Sequence, residues 1–190
     1  STVDSEVMKE GKMKNIVVDI DGCVCQYDFP RLIKKHFGMG ILPEWVWCYS
    51  LQESLGLPKN AVNRMFEEEA YKDPAFLPDA LRVLERMVQG NNVYILSHRE
   101  NIMGRRDFKV WLGRHHIPHT QIISCKTLPS HVHVAIDDYP TKLLEVASKT
   151  NVEDLLLLVQ PWNVQCRDLL NWFTWVESWK QIEEELYGKV

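Results

Sequence analysis

"NIVVDIDGCV", residues 15–24, decides how the rest of the chain is read. Its first half is a run of apolar, β-branched residues, the pattern of a strand buried on both faces. It then ends on two carboxylates, Asp19 and Asp21, followed by Gly22. Such a strand either turns out into solvent or delivers its acids to a site. What other segments bring to the same place decides between the two.

Four further runs have the same character: residues 92–97, 120–124, 131–137 and 154–159. Helical patterns lie between them. Residues 105–116 put Phe108, Trp111, Leu112 and His115 on one face. Leu81, Leu84 and Val88 do the same after Pro78, a residue suited to a helix start. "DYPTKLLEVASK" opens another helix, and Trp175, Trp179, Ile182 and Leu186 predict an apolar stripe on the last one. Alternating strand and helix argues for an α/β fold with a doubly wound, Rossmann-like parallel sheet. About seventy residues separate the first strand from the second, too many for one crossover helix. Their patterns predict helices at 30–38, 43–55, 59–72 and 78–90. The expected organisation is a polar arm at 1–14, a core at 15–25 and 78–190, and a helical cap inserted at 26–77.

Composition narrows the class. The chain has 190 residues, 45% of them hydrophobic and 25% charged, as in a globular protein with a full core. A net charge of −4 gives no field for gripping a nucleic-acid polymer, although one cationic pocket can still hold a nucleotide. No apolar run has the length of a membrane span. The first fifteen residues carry no hydrophobic signal core, and five cysteines at scattered spacing suit reduced thiols. A cytoplasmic protein acting as a monomer or homodimer is expected.

In open α/β sheets, ligands bind beyond the carboxyl ends of the strands. Asp19, Asp21 and Gly22 follow the first strand. Ser97, His98 and Arg99 follow the second, Lys126 the third, and Asp137 and Asp138 close the fourth. One rim therefore collects carboxylates, a hydroxyl and an ammonium. Crowded carboxylates repel, and a hard cation such as Mg²⁺ relieves that repulsion while sharing a substrate phosphate. Ser97 and Lys126 can bind the phosphate oxygens left free. Gly22 lets the backbone turn N–H groups toward the same anion. Arg99 can add a second cation or project into solvent, and His98 stands beside it at the rim.

The ordered set "DIDGCV", "ILSHR", Lys126 and "IDD" resembles the four motifs of the haloacid dehalogenase superfamily. "DIDGCVCQY", "IDDYP" and the tail "TWVESWKQI" are similar to segments of the 5'(3')-deoxyribonucleotidases. The resemblance implies Asp19 as nucleophile and Asp21 as acid/base. It implies Mg²⁺ on Asp19, the Asp21 backbone carbonyl and Asp138, with Asp137 in support. Ser97 and Lys126 would hold the phosphoryl group. Two departures stand out: Ser97-His98-Arg99 where that family has Thr-Ser-Pro, and Tyr139 where it has Arg.

The implied activity is a Mg²⁺-dependent phosphomonoesterase for nucleoside, chiefly deoxyribonucleoside, monophosphates, working through an aspartyl-phosphate. A phosphatase of another small ester, such as a sugar phosphate, is the alternative of the same chemistry. A phosphorylatable switch or binding module is the alternative of another class. A receiver of that kind, however, carries its nucleophile on the third strand and has no cap-sized insert. Among the cap aromatics, Tyr27 is the first candidate to stack on a base, followed by Trp45 and Trp47. The histidines and cysteines show no paired zinc spacing, and His131 and His133 are expected at the exposed start of a strand.

Overall fold

The computed structural model describes residues 13–167 and 171–188. The expected arm at 1–14 therefore lies almost wholly outside the described residues. In chain order the strands are β1 (Asn15–Val18), β2 (Cys25–Gln26), β3 (Ala75–Phe76), β4 (Asn92–Ile95), β5 (Gln121–Ile122), β6 (His131–Asp137), β7 (Asn151–Leu158) and β8 (Thr174–Val176). The helices are α1 (Phe29–Phe37), α2 (Leu51–Leu55), α3 (Lys59–Ala70), α4 (Ala80–Val88), α5 (Arg99–Met103), α6 (Arg105–Arg114), α7 (Pro140–Lys149) and α8 (Trp179–Tyr187).

Six strands form one parallel sheet in the order β5-β4-β1-β6-β7-β8. Strand β1 lies between β4 and β6, with Val18 opposite both Ile95 and Ile136. Both faces are buried, which explains the continuous apolar runs. Ile16 and Val18 pack on one face with Leu84, Met87, Phe108, Leu112, Trp179 and Ile182 of α4, α6 and α8. Val17 points the other way, with Ala135, Leu157 and Leu143 and Val146 of α7. The doubly wound expectation is thus met.

Two local readings are corrected. Residues 43–55 form no continuous helix: a 3₁₀ turn occupies Pro43–Trp45 and α2 begins only at Leu51, capped by the Ser50 hydroxyl. The turn is closed by Val46 N–H donating to the Pro43 carbonyl at 3.1 Å, an i→i+3 bond that does not pass into an α-helix. Trp175 belongs to β8, not to the last helix, which starts at Trp179 behind a Ser178 cap. The side chain of Trp179 is buried and its Nε1–H donates to the Cys23 carbonyl at 2.7 Å. The tail therefore clamps the turn that follows β1.

Between β1 and β4, β2 and β3 pair antiparallel, Cys25 opposite Phe76. The helical segment between them has an apolar cluster of its own: Leu32, Ile33, Ile41, Val46, Leu51, Leu57, Val62 and Met65. Buried Glu69 ties its helices, accepting from Lys35 at 2.7 Å and Lys72 at 2.6 Å. This segment stands over the carboxyl ends of β1, β4 and β6, where its side chains and theirs line one cavity of about 670 Å³.

Candidate active site

Three strand ends build the floor. Asp19 is fixed by its own N–H, which donates to the Ile136 carbonyl of β6 at 3.0 Å. Gly22 follows at φ +81°, a left-handed turn that glycine adopts without strain. A Cβ there would also overlap the carboxylate of Asp138, so glycine is required twice over. Tyr139 N–H donates to Asp137 Oδ1 at 2.8 Å and orients it.

The side chains of Asp19, Asp137 and Asp138 are all buried, and their carboxylate oxygens lie within 4.8 Å of one another. Burial raises the Asp19 carboxyl well above its usual range, and the charges of Asp137, Asp138 and Asp21 push it further. Burial likewise brings Asp137 up to about 7, against the Tyr139 hydrogen bond. Asp138 is raised by burial and then by Asp137. An all-oxygen donor set, dry and self-repelling, is the chemistry that a hard divalent cation stabilises. The residues present fit such an ion.

Asp138 is held from elements that the sequence reading did not single out. Trp162 Nε1–H donates to Asp138 Oδ2 at 2.6 Å, and the Tyr49 hydroxyl lies 3.5 Å from Oδ1. Asn163 Nδ2 bridges the carbonyls of Asp138 and Leu158, each at 2.8 Å. Gln160 Nε2 donates to the Gly22 carbonyl at 2.7 Å. Gln160, Trp162 and Asn163 follow the carboxyl end of β7, so the rule that selected Asp19 and Asp138 also points to them. Tyr49 stacks on Tyr139 with ring centroids 3.7 Å apart. That contact carried no local signal.

The other expected residues divide. Ser97 is buried on the cavity wall and its Oγ accepts from Arg99 N–H at 3.2 Å. His98 is exposed at the mouth. Arg99 is buried with its guanidinium against Asp21, Tyr27 and Ala70, away from solvent. The side chain of Asp21 faces that guanidinium and stands outside the three-carboxylate cluster. Tyr27 lines the cavity and packs edge-on against Phe66 at 5.3 Å. Trp45 and Trp47 are exposed and do not line it; Cys48, Tyr49 and Gln52 from the same stretch do. The α-helix expected from residue 43 begins only at Leu51, so helical spacing does not set which of residues 43–50 turn inward. Lys126 is exposed in the turn after β5, and the lysine on the cavity wall is Lys142 of α7.

A second cluster, His131, His133 and Glu153, lies at the opposite ends of β6 and β7. His133 Nδ1 accepts the Asn15 N–H at 2.9 Å, so its ring proton sits on Nε2. The Glu153 carboxylate is paired instead with His131 Nε2, 2.9 Å away.

The fold is that of the haloacid dehalogenase-like hydrolases. The solved structures it resembles agree on the fold. A haloacid dehalogenase-like hydrolase, SP0104 from Streptococcus pneumoniae, aligns with TM-score 0.60 at 17% identity over 93% of this chain and 99% of that one. A predicted phosphoglycolate phosphatase from Haemophilus somnus gives TM-score 0.58 at 12% identity, covering 94% and 99%. The proposed HAD-hydrolase YfnB from Bacillus subtilis, bound to magnesium, gives 0.55 at 10% identity, covering 92% and 99%. No curated protein matches the sequence.

Within that class, the sequence model of the 5' nucleotidase, deoxy (pyrimidine), cytosolic type C proteins matches residues 12–188. The chain belongs to this family and is a 5'-nucleotidase-like phosphoric monoester hydrolase. Among the described residues, no helix is long and apolar enough to cross a membrane.

Proposed function

We propose that this phosphatase hydrolyses deoxyribonucleoside monophosphates with Mg²⁺ through an aspartyl-phosphate on Asp19. The observation that carries the reading is the buried Asp19–Asp137–Asp138 cluster beneath an aromatic-walled cavity of about 670 Å³. That volume suits one nucleotide. Tyr27, Phe29, Phe66 and Tyr49 give its upper wall flat apolar faces for a base.

In this reading Asp19 attacks phosphorus in line while Asp21 gives a proton to the departing ester oxygen. The Asp19–phosphorus bond forms as the ester bond breaks. Water then attacks the same phosphorus, Asp21 takes its proton, and Asp19 is released. Asp19, Asp138 and the Asp21 carbonyl, backed by Asp137, would hold Mg²⁺, which when bound offsets charge on the phosphoryl oxygens. Ser97 Oγ donates to one of those oxygens. Lys126, turned inward from its exposed turn, supplies the ammonium. The helical segment shields the site from bulk solvent, leaves room for the attacking water and selects the leaving group. A cytosolic site of action belongs to the same reading and suits the free cysteines 23, 25, 48 and 125.

The test is phosphate release from dUMP, dTMP and a sugar phosphate, with Mg²⁺ and with a chelator. Mg²⁺-dependent turnover that favours the nucleotides is expected. Preference for the sugar phosphate overturns the substrate class, and equal rates under chelation overturn the metal.

A further inference from the structure

Arg99 stands where the resembling family has proline, and its surroundings give it a task. It is buried at the first position of α5, 2% exposed. Each guanidinium nitrogen has a partner. Nε donates to Asp21 Oδ1 at 3.2 Å and Oδ2 at 3.0 Å. Nη2 donates to Asp21 Oδ1 at 2.5 Å and to the Tyr27 hydroxyl at 3.0 Å. Nη1 donates to the Ala70 carbonyl at 2.5 Å. The Trp111 ring covers one face of the group, 4.2 Å from its centroid. A buried charge with this many fixed partners cannot turn toward a phosphoryl group without leaving them unpaired.

We propose that Arg99 is a positioning residue for phosphoryl transfer: it anchors Oδ1 of Asp21 to the roots of the helical insertion and leaves Oδ2 to exchange the proton. Oδ1 accepts from Nε, from Nη2 and, at 3.9 Å, from the Cys25 thiol, whereas among the described residues Oδ2 accepts only from Nε. Oδ2 therefore keeps acceptor capacity on a side chain that lines the cavity. In the first half-reaction the Oδ2 proton passes to the ester oxygen as its bond to phosphorus breaks. In the second, a water proton passes to Oδ2 as the water oxygen bonds to phosphorus and Asp19 leaves.

The other two partners of Arg99 sit at the two roots of the insertion. Tyr27 directly follows β2, and Ala70 closes α3. One guanidinium thus links both roots to the acid/base carboxyl. Asp21 is held in place only while the insertion is seated. The inference rests on the phosphatase reading with Asp21 as acid/base.

The experiment compares esters whose leaving groups differ in their need for a proton. Single-turnover release of the leaving group is measured from dUMP and from p-nitrophenyl phosphate. Wild type, Arg99→Met and Arg99→Lys are used, each checked for folding by thermal unfolding. Misplacing a general acid costs about 10²-fold for an alkoxide, and less than about tenfold for p-nitrophenolate, which leaves unprotonated. Arg99→Met is expected to show that split with KM for dUMP changed less than about threefold, and Arg99→Lys the same split at smaller size. Equal losses on both esters, or no loss on either, overturn the role. Should Arg99→Met not fold, Arg99→Lys is judged by the same criterion. A folded wild type inert toward both esters overturns the phosphatase reading, and this inference with it.

Discussion

The floor of the cavity presents Asp19, Gly22, Ser97, Asp137 and Asp138; its upper wall presents Phe29, Val46, Tyr49, Gln52, Asn63 and Phe66. Every floor residue lies within four positions of the last residue of a sheet strand, where main-chain ladders fix it. The upper wall comes from short helices and a 3₁₀ turn whose inward faces depend on packing with one another. The floor carries charge and chemistry, and the upper wall carries shape. Substitutions in the floor should therefore reduce kcat, and those above should move KM and substrate ranking.

The largest expected effect is that of Asp19→Asn. Removing a nucleophile costs at least about 10³-fold in kcat, read as phosphate release from dUMP. Turnover near the wild-type rate would detach the chemistry from the floor altogether.

Next comes the choice between two lysines. Lys142 lines the cavity, but its ammonium is bound by Glu145 at 2.8 Å, whereas Lys126 follows β5 in the place the motif resemblance assigns. Lys126→Met should lower kcat about 10²-fold and Lys142→Met less than about fivefold, since one donor to a developing phosphoryl charge is worth that much. The reverse order would move the phosphate cation from β5 to α7.

Trp162 tests whether the brace after β7 belongs to the floor. Trp162→Phe removes the hydrogen bond to Asp138 Oδ2 and keeps an aromatic ring beside Phe29, 5.7 Å away between centroids. Losing such a support weakens apparent Mg²⁺ affinity about 10–100-fold. Titrating activity with Mg²⁺ measures it, and an unchanged midpoint would assign Trp162 to packing alone.

In the upper wall, Asn63→Ala removes one polar group of α3 that faces the cavity. A single neutral hydrogen bond is worth about 0.5–1.5 kcal/mol, so KM for dUMP should rise roughly two- to tenfold with kcat unchanged. A fall in kcat instead would blur the division between the two walls.

The same division explains what the sequence disclosed. Strands β1, β4 and β6 announce themselves by β-branched runs, and Asp19, Ser97 and Asp138 follow from where those runs stop. Strand β8 is three residues long, and Trp175 in it falls at helical spacing from Trp179, so the helix pattern absorbed it. Trp45 and Trp47 are candidates in the sequence only as large aromatics of the cap. Both are exposed: Trp45 ends a 3₁₀ turn and Trp47 lies in irregular chain, so no α-helical periodicity sets their direction. The partnership of Arg99 with Asp21 joins residues 78 positions apart and had no local signature.

The smallest effect on catalysis belongs to a residue that serves the insertion alone. Burial pushes the Glu69 carboxyl up, but hydrogen bonds from Lys35, Lys72 and His36 overcome this and hold it at about 2, below its usual 4.5. A carboxyl lowered on folding stabilises fully above its unfolded value, and that contribution is lost as pH falls through the folded one. The window is therefore about pH 4.5 down to 2. Lys35 and Lys72 are each 45% exposed, so solvent screens the cluster, and Glu69→Gln should cost on the order of 1 kcal/mol. That corresponds to a fall of about 2–4 °C in Tm at pH 7. The variant should lose stability less steeply than wild type across the window, with kcat on dUMP unchanged at pH 7. If kcat falls with Tm, the packing that seats the insertion also sets the geometry of the floor, and the two walls form one catalytic unit.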